Sequence, residues 1–453
     1  MKSFFFYDLE TSGLNARFDR VMQFAGIRTD ENLKQVGEPI NILVRLSEDI
    51  LPSPDALLVT GITPQQTITD GISEHEFVKL LTNKVFTPDT VTIGFNNIAF
   101  DDEFIRHTLW RNFYDPYEWS WSDGRSRWDL LDVVRLTRAL RPDDISWPTL
   151  NGKATNKLEL LAKENHIKQE HAHDALSDVE ALIGVTQMIR EKQPRLFDYL
   201  FNLRNKKEIA KLINLDEPKP FIYSGGHFRC PEKTTVAFPI APGNKPGSVL
   251  VFDLRNNINN IDFNNLSKDY PWKDLPISEL QYNRCPAVAP IGVLDEKSQK
   301  RLELPLEEVH SNLDTLNNNR PTVDKLINIW RDRPDFPPAS DVEAQLYDGF
   351  TINEDKPHIK KVPTLNAEQL ADFHPVFKDE RLDTLLFRYK AREFPKSLSE
   401  DEQKTWHEYM INKYQKQLPI ISSRLNELSN NSTNKFILEE IQLWIELNMP
   451  VAD

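Results

Sequence analysis

Two acidic residues at the end of the first apolar segment carry the strongest chemical signal in the sequence. The apolar run from Phe4 to Tyr7 predicts a buried β-strand, and Asp8 and Glu10 stand at its end. Because side chains alternate along a strand, both carboxylates are expected on one face. Neighbouring carboxylates repel each other, and a divalent cation such as Mg²⁺ or Mn²⁺ relieves that repulsion. At this point a pair of solvated acids without any ligand remains the alternative.

A third acidic position follows another predicted strand. Residues 91–95 form a short apolar run, the pair Asn96-Asn97 predicts a turn, and a helix is expected from Asp101 onward. Because ligands of open α/β sheets gather at strand ends, Asp101 is a candidate metal ligand. Its alternative role is that of an acid at a helix start, which the helix dipole favours.

A histidine and two aspartates surround the start of a further predicted helix over residues 175–190. Asp174 is a natural N-cap, which places Asp178 in or just past the first turn and His173 in the preceding loop. On one continuous helix His173 and Asp178 would point about 140° apart. A loop position lets the histidine reach the same site as Asp178. The alternative is a surface histidine near an N-cap.

Taken together, these residues can perform phosphodiester hydrolysis. Four carboxylates, with bridging water and phosphate, can hold two divalent metal ions roughly 3.5–4 Å apart. One ion would activate a water molecule, and the other would stabilise the leaving 3′-oxygen. Histidine titrates near neutral pH, so His173 is suited to accept the proton of that water. The expected reaction is an in-line displacement at phosphorus.

The segments that must position these residues predict an α/β arrangement. Three early strand candidates separated by short turns favour an antiparallel meander. Strand and helix candidates then alternate, which adds parallel pairing and predicts a mixed sheet. The early strand candidates are residues 3–10, 21–29 and 39–46.

The rest of the chain predicts two further domains. Residues 214–220 are typical of a linker, and short β-runs and turns follow it to about residue 340, which favours a small barrel-like β domain. A proline-rich stretch at residues 333–338 marks another boundary, beyond which the segments are helix-like. We therefore divide the chain into residues 1–192, 193–340 and 341–453.

Composition places the chain among ordinary globular proteins. Hydrophobic residues make up 39% and charged residues 27% of its 453 residues, and no apolar stretch is long enough to span a membrane. The formal net charge of −14 argues mildly against nucleic-acid binding but leaves room for a local basic groove. Residues 190–195 and 204–207 are such a local excess of cations, although a solvated helix face is the favoured explanation for them. Cys230 and Cys285 lack metal-ligand spacing, and with no secretory leader we expect a cytoplasmic protein with reduced thiols.

The three motifs together resemble one enzyme superfamily. Asp-x-Glu-Thr-x-Gly at 8–13, Asn-x-x-Phe-Asp at 97–101 and His-x4-Asp at 173–178 resemble the motifs of the DEDDh 3′→5′ exonucleases. Longer segments resemble the bacterial exonuclease I family within that superfamily, over essentially the full chain. These segments are residues 23–30, 60–64, 111–117 and 193–201.

The resemblance implies a fold and an activity. It implies an α/β, ribonuclease H-like exonuclease domain with a mixed sheet, followed by an SH3-like β-barrel domain and an α-helical C-terminal domain. It also implies processive hydrolysis of single-stranded DNA from the 3′ end to 5′-mononucleotides, in DNA repair and recombination. The expected cofactor is two Mg²⁺ ions, with Mn²⁺ as the alternative, and the expected state is a monomer.

The resemblance also assigns roles to residues. Asp8, Glu10, Asp101 and Asp178 are expected as metal ligands and His173 as the general base. Substrate contacts are expected from Glu10, Thr11, Asn97 and Phe100. The family binds the acidic C-terminal tail of single-stranded DNA-binding protein, for which Arg141, Tyr199 and Lys219 stand at matching positions. Asp295 and Asn317 occupy places where further basic residues would be expected.

Other acids and aromatic residues near the motifs are expected to be structural. We assign Asp129 and Asp132 to structural or supporting roles, and we expect Trp119, Trp121 and Trp128 to pack in a core rather than stack on bases.

Three alternatives compete with this reading. A proofreading subunit or small-RNA exonuclease of the same superfamily would be a much shorter chain. A DNA-binding module with a dead site would be expected to lack one of the five site residues. A metal-stabilised structural protein would bind metal but cleave no strand.

Overall fold

A computed structural model of the protein describes residues 3–168, 174–335, 337–431 and 434–451. The chain forms two compact units. The first contains the described residues of Met1–Ser126, Glu170–Glu180 and Pro337–Asp453, and the second those of Arg127–Gln169 and Ala181–Phe336. The N-terminal and C-terminal segments of the sequence therefore fold together, and the middle of the sequence forms the other unit.

The β-strands belong to two five-stranded sheets and one short hairpin. The first sheet has the order β3-β2-β1-β4-β5, the second the order β11-β10-β9-β8-β12, and β6 pairs with β7, in a numbering that follows the chain. The strands are β1 Ser3–Thr11, β2 Val21–Thr29, β3 Ile40–Leu43, β4 Thr90–Gly94, β5 Ser126–Asp129, β6 Thr149–Leu150, β7 Lys153–Ala154, β8 Phe221–Ser224, β9 Thr234–Pro242, β10 Ser248–Asp253, β11 Ile277–Gln281 and β12 Ala287–Pro290.

The α-helices of the described chain vary from five residues in α14 to 32 residues in α16. They are α1 Pro54–Thr60, α2 Pro64–Asp70, α3 Glu74–Leu80, α4 Asp101–Arg111, α5 Leu130–Leu140, α6 Leu158–Glu164, α7 Ala175–Lys192, α8 Pro194–Asn202, α9 Lys206–Leu212, α10 Glu296–Leu302, α11 Leu306–Asn317, α12 Arg320–Arg331, α13 Lys356–Lys361, α14 Ala367–Ala371, α15 Arg381–Glu393, α16 Glu400–Asn431 and α17 Lys435–Asn448. A π-helical segment at Leu81–Val85 continues α3, and short 3₁₀ segments connect several elements.

The first sheet confirms the predicted mixed topology. Strand β2 runs antiparallel to both β1 and β3, and β1 runs parallel to β4. Phe5, Tyr7 and Leu9 lie on the face of β1 that packs into a core with Phe24 and Phe77. Because side chains alternate along a strand, Asp8 and Glu10 point to the other face.

Two elements differ from the sequence-based prediction, which is one helix over residues 128–140 and another over residues 400–414. Residues 126–129 form strand β5, so α5 begins at Leu130, and the Asp129 carboxylate caps it by accepting the Leu131 N–H at 3.0 Å. Helix α16 continues far beyond the predicted residue 414 and includes Pro419. Proline normally ends a helix, but here Leu418 and Leu425 on either side of it pack against one hydrophobic core.

The second unit is built around the antiparallel sheet of β8 to β12. Its central strand β9 and the neighbouring β10 are almost fully buried along their lengths, as expected for strands covered on both faces. Cys230 and Cys285 in this unit are both free thiols. Across the residues that the structure describes, we find no helix with the length and apolar content needed to cross a lipid bilayer.

Candidate active site

Three of the predicted metal ligands meet on the polar face of β1. Asp8, Glu10 and Asp178 each offer a carboxylate oxygen, and these oxygens lie within 4.8 Å of one another. All three side chains are partly exposed, so the cluster opens to solvent. The alternation of β1 supplies the first two, and the first turn of α7 supplies the third.

The fourth predicted ligand, Asp101, is the first residue of α4 and is buried. It lies close enough to affect both acids of β1 electrostatically. Burial raises the pKa of Asp8 well above its usual value, and the charges of Asp101, Glu10 and Asp178 raise it further. Burial and then Asp178 and Asp101 raise the pKa of Glu10 to about 8.

The chemistry of this donor set fits a divalent cation. Among the described residues, no arginine, lysine or histidine forms an ion pair with Asp8 or Glu10. Clustered carboxylates without a protein cation are costly, and hard oxygen ligands suit ions of the Mg²⁺ and Mn²⁺ type. The raised pKa of Glu10 has the same cause, because burial and the neighbouring acids disfavour its charged form.

Helix α7 is tied to the sheet through its cap. The Asp174 carboxylate accepts the Ser177 N–H at 3.2 Å, which confirms Asp174 as the predicted cap. Its other oxygen accepts a hydrogen bond from Gln23 at 3.3 Å. Gln23 lies directly opposite Glu10 in the β1–β2 register, so one strand pair positions both Glu10 and the helix that carries Asp178. Sequence reasoning missed this role, because strand register is not visible in the motif itself.

The predicted general base, His173, lies outside the described residues. The structure does establish its chain neighbour: Asp174 precedes Ala175, the first residue of α7, and the Asp178 N–H donates to the Asp174 carbonyl at 3.0 Å.

The predicted substrate residues occupy different environments. The Thr11 hydroxyl is buried and donates to the Gly13 carbonyl at 2.7 Å. The Phe100 ring is half-buried and packs on Phe104 at a centroid distance of 5.0 Å. The Asn97 side chain is fully buried, and its Nδ2 donates to Asp102 at 3.2 Å.

A buried hydrogen bond close to the predicted metal ligands joins two residues that sequence reasoning did not pair. The Tyr7 hydroxyl donates to the Asp102 carboxylate, and both side chains are buried. Each is the immediate chain neighbour of a predicted metal ligand, Asp8 or Asp101. The only sequence signal was the acid run Asp101-Asp102-Glu103, which did not reveal its partner.

The predicted partner-binding residues all belong to the second unit. The guanidinium of Arg141 donates to the Leu140 and Val293 carbonyls and lies 3.6 Å from Asp295. Burial raises the pKa of Tyr199 to about 12, and Lys219 is exposed.

The residues expected to be structural behave so with one exception. Asp129 caps α5, and Asp132 pairs with Arg135 at 2.5 Å. Trp119 and Trp128 are buried, but Trp121 is 65% exposed, so the expectation of core packing was wrong for Trp121. It lies in a turn that follows a short 3₁₀ segment, and its indole has no core to enter there.

Family profiles match the chain in three consecutive regions. The profile described as Exonuclease matches residues 5–186, that of the Exonuclease I SH3-like domain matches residues 204–332, and that of the Exonuclease I C-terminal domain matches residues 340–448. These matches confirm the predicted fold class.

Two curated relatives cover most of the chain. Exodeoxyribonuclease I of Haemophilus influenzae is 38% identical over 462 residues, which cover 97% of this chain and 97% of the relative. Exodeoxyribonuclease I of Escherichia coli is 37% identical over 422 residues, which cover 90% of this chain and 89% of the relative.

Solved structures give the same result. Escherichia coli exonuclease I in complex with a dA16 oligonucleotide has a TM-score of 0.93 to this protein at 33% identity, covering 99% of this chain and 100% of that chain. The zinc-bound form of the Escherichia coli complex with single-stranded DNA has a TM-score of 0.93 at 34% identity, covering 99% of both chains. Because such relatives extend along nearly its whole length, the chain belongs to the exodeoxyribonuclease I family.

Proposed function

We propose that Asp8, Glu10, Asp101 and Asp178 hold the divalent cations of a 3′→5′ exodeoxyribonuclease and that His173 is its general base. Its family makes the protein a processive exonuclease of single-stranded DNA that uses divalent metal. The observation that carries the residue assignment is the meeting of three carboxylates within 4.8 Å. No cation of the described protein pairs with the two acids on β1.

The proposed cofactor is a pair of Mg²⁺ ions, with Mn²⁺ as the alternative. Bound ions would activate a water molecule and stabilise the leaving 3′-oxygen. The chain's own residues bind the ions and move the proton. The four carboxylates hold and orient the site, and His173 accepts the proton from the attacking water.

The proposed substrate contacts lie beside these acids. Thr11 follows Glu10 on β1, so the Thr11 backbone can contact the 3′-terminal nucleotide. The half-buried Phe100 ring can stack on a base, an interaction worth roughly 1–3 kcal/mol that tolerates any sequence. Asn97 stays in this set as a proposal, although its amide nitrogen already binds Asp102.

The proposed partner is the acidic C-terminal tail of single-stranded DNA-binding protein, bound by Arg141, Tyr199 and Lys219. The exposed ammonium of Lys219 and the guanidinium of Arg141 supply the positive charge that such a tail requires. Asp295 lies 3.6 Å from Arg141 and would compete with the tail for it. Replacing Asp295 with Asn is therefore expected to strengthen binding of a tail peptide, measured by fluorescence anisotropy.

The proposed domain limits are residues 1–192, 193–340 and 341–453. The three family profiles support them, although the compact units group the N-terminal and C-terminal segments together. We also propose a monomer that works in the cytoplasm, where the two free thiols would stay reduced.

The residue assignment is tested with a 5′-labelled single-stranded oligonucleotide and Mg²⁺. The wild type should shorten the strand from its 3′ end, whereas Asp8→Ala and His173→Ala should leave it intact. Glu439→Ala, which changes an exposed acid on α17, is the matched control and should be fully active. A strand blocked at its 3′ end should resist the wild type. Full activity of Asp8→Ala or His173→Ala would show that the site is wrongly assigned.

A further inference from the structure

A small buried network of polar side chains joins β1 to the start of α4. The Tyr7 hydroxyl donates to Oδ1 of Asp102, and Asn97 Nδ2 donates to the same oxygen at 3.2 Å. Tyr7 is 1% exposed, and Asp102 and Asn97 are completely buried. We call the hydrogen bond from Tyr7 to Asp102 the brace.

The brace connects the same two backbone segments that carry two of the acids. Tyr7 directly precedes Asp8 on β1, and the two side chains point to opposite faces of the sheet. Asp102 directly follows Asp101 in the first turn of α4. The brace and the Asp8 carboxylate therefore lie on opposite faces of the sheet, and Asp101 adjoins the brace through the backbone of α4.

The turn between β4 and α4 is closed tightly around this network. The Asp102 N–H donates to the Asn97 carbonyl at 2.8 Å. A Cβ at Gly94 would lie 2.5 Å from the Asn97 Cβ, so only glycine allows Asn97 to approach this closely. The start of α4 thus has little freedom once Asp102 is held.

Such a connection is needed because the acids in front of it repel. Asp8 on β1 and Asp101 at the start of α4 carry like charge when both are ionised, which favours separating the two segments unless a cation lies between them. A hydrogen bond to a buried carboxylate is among the stronger polar contacts in a protein. The brace opposes that separation by joining the residue before Asp8 to the residue after Asp101.

We propose that Tyr7 is a positioning residue whose hydroxyl holds the first turn of α4 against β1, so that the Asp8 and Asp101 carboxylates keep their relative placement before any cation arrives. This inference rests on the metal ligands proposed above. Tyr7 itself touches neither metal nor substrate. It acts through Asp102 and the backbone of α4.

The test compares Tyr7→Phe with the wild type and with Tyr389→Phe. Tyr389 is a matched control because it is also buried and its hydroxyl lies 2.7 Å from His75 Nδ1, away from the acids. Each variant removes one buried hydroxyl and keeps the ring. Mn²⁺ is titrated into the DNA-free protein, and binding is followed by electron paramagnetic resonance of free Mn²⁺ and by the melting temperature.

We expect Tyr7→Phe to need roughly tenfold more Mn²⁺ for half-saturation, the low end of the effect of losing a residue that orients metal ligands. Tyr389→Phe should bind Mn²⁺ like the wild type, even if both variants melt earlier without metal. At saturating Mn²⁺ the exonuclease activity of Tyr7→Phe should approach that of the wild type.

The outcomes separate this inference from the proposed function. If the wild type binds no Mn²⁺, the proposed metal site itself fails. If the wild type binds Mn²⁺ and Tyr7→Phe binds it equally well or better, the metal site stands and the positioning role of Tyr7 is overturned. An equal loss of affinity in Tyr389→Phe would also overturn it, because the effect would then reflect general loosening of the fold.

Discussion

The first unit contains two groups of clustered acids that differ in how their charge is balanced. The acid cluster of Asp8, Glu10 and Asp178 has no protein cation paired with its β1 members among the described residues. The second group, which we call the ion network, is a set of buried acids that all have cationic partners. Its acids are Asp49, Glu74 and Glu343, and its cations are Arg20, Arg111, Arg388, Arg392 and Lys413.

The distances in the ion network are those of close ion pairs. Asp49 lies 2.8 Å from Arg392 and 2.7 Å from Lys413, and it is completely buried. Glu343 lies 2.6 Å from Arg20 and also binds Arg392. These contacts join the N-terminal segment to the C-terminal helices within the first unit.

The pKa values shift in opposite directions in the two groups. Burial by itself raises the pKa of any carboxyl group. In the ion network Arg392 and Lys413 outweigh burial at Asp49, and Arg392 and Arg20 outweigh it at Glu343, so both pKa values fall below their usual range. In the acid cluster burial and like charges act together, and the pKa values of Asp8 and Glu10 rise. The comparison shows that burial alone does not set the direction of these pKa shifts, whereas the charges that surround each acid do.

The largest expected effect comes from removing an acid of the cluster. Asp8→Ala should lower exonuclease activity by about 10⁴-fold, a loss typical of residues that act as a unit in catalysis. It should not lower the melting temperature of the metal-free protein, because it removes a repelled charge. The measurements are single-turnover cleavage of single-stranded DNA and thermal unfolding in EDTA. A marked fall of the metal-free melting temperature would mean that Asp8 is stabilising, as the acids of the ion network are.

Removing an acid of the ion network should have the opposite profile. Glu343→Gln leaves buried guanidinium groups without their partner, which should cost about 3–5 kcal/mol of unfolding free energy. Urea unfolding measures this cost. The control is Asp55→Asn, which breaks an exposed pair with Arg424 and should cost no more than about 1 kcal/mol. Equal losses in the two variants would contradict the distinction between buried and exposed pairs.

Metal should stabilise the protein through the acid cluster alone. At a Mg²⁺ or Mn²⁺ concentration of about 100 times the dissociation constant, the wild type should gain about 2.7 kcal/mol. Asp8→Asn should gain much less, and Glu343→Gln should keep the gain despite its lower starting stability. Thermal unfolding with and without EDTA provides the measurement. A metal response that survives in Asp8→Asn would locate the binding site elsewhere.

The smallest effect concerns pH. In the metal-free protein the pKa of Glu10 is about 8, above its value in the unfolded chain, so its contribution to stability is present at low pH and is lost as the pH rises towards 8. Because the side chain is partly exposed, we expect a loss of about 1–2 kcal/mol. Glu10→Gln should flatten this fall, measured by urea unfolding between pH 5 and pH 8 in EDTA.

The contribution of the ion network to stability should depend on pH in the opposite direction. The lowered pKa of Asp49 means that its contribution is present above the pKa of the unfolded chain and is lost as the pH falls below it. As the pH is lowered, the wild type should therefore begin to unfold at a higher pH than a protein without such pairs. The buried Glu393, whose pKa burial raises to about 7, acts in the same direction as Glu10, so the Glu10→Gln difference isolates the cluster.

The local elements were largely predictable because short-range patterns specify them. The apolar run before Asp8 gives β1, the apolar run before Gly94 gives β4, and the capping residue Asp174 gives the start of α7. The prediction was weaker where tertiary packing overrides local preference. Pro419 inside α16 and the strand at residues 126–129 are the clearest cases. Helices α1 and α2, of seven residues each, are too short to show a periodic pattern.

The sequence by itself determined which acids the chain carries, their order, and the alternation that sends Asp8 and Glu10 to one face of a strand. These are consequences of residue type and of the two-residue repeat of a β-strand. They predicted the metal-dependent chemistry, and the resemblance carried by the three motifs predicted the superfamily.

Only the tertiary structure decided which acids receive a protein cation. Asp49 receives its cations from Arg392 and Lys413, which lie 343 and 364 residues away in the chain. The partner of Tyr7 lies 95 residues away, and Gln23 reaches Asp174 across 151 residues. No local pattern encodes such contacts, because Coulomb forces and hydrogen bonds depend on distance in space, and folding alone sets that distance.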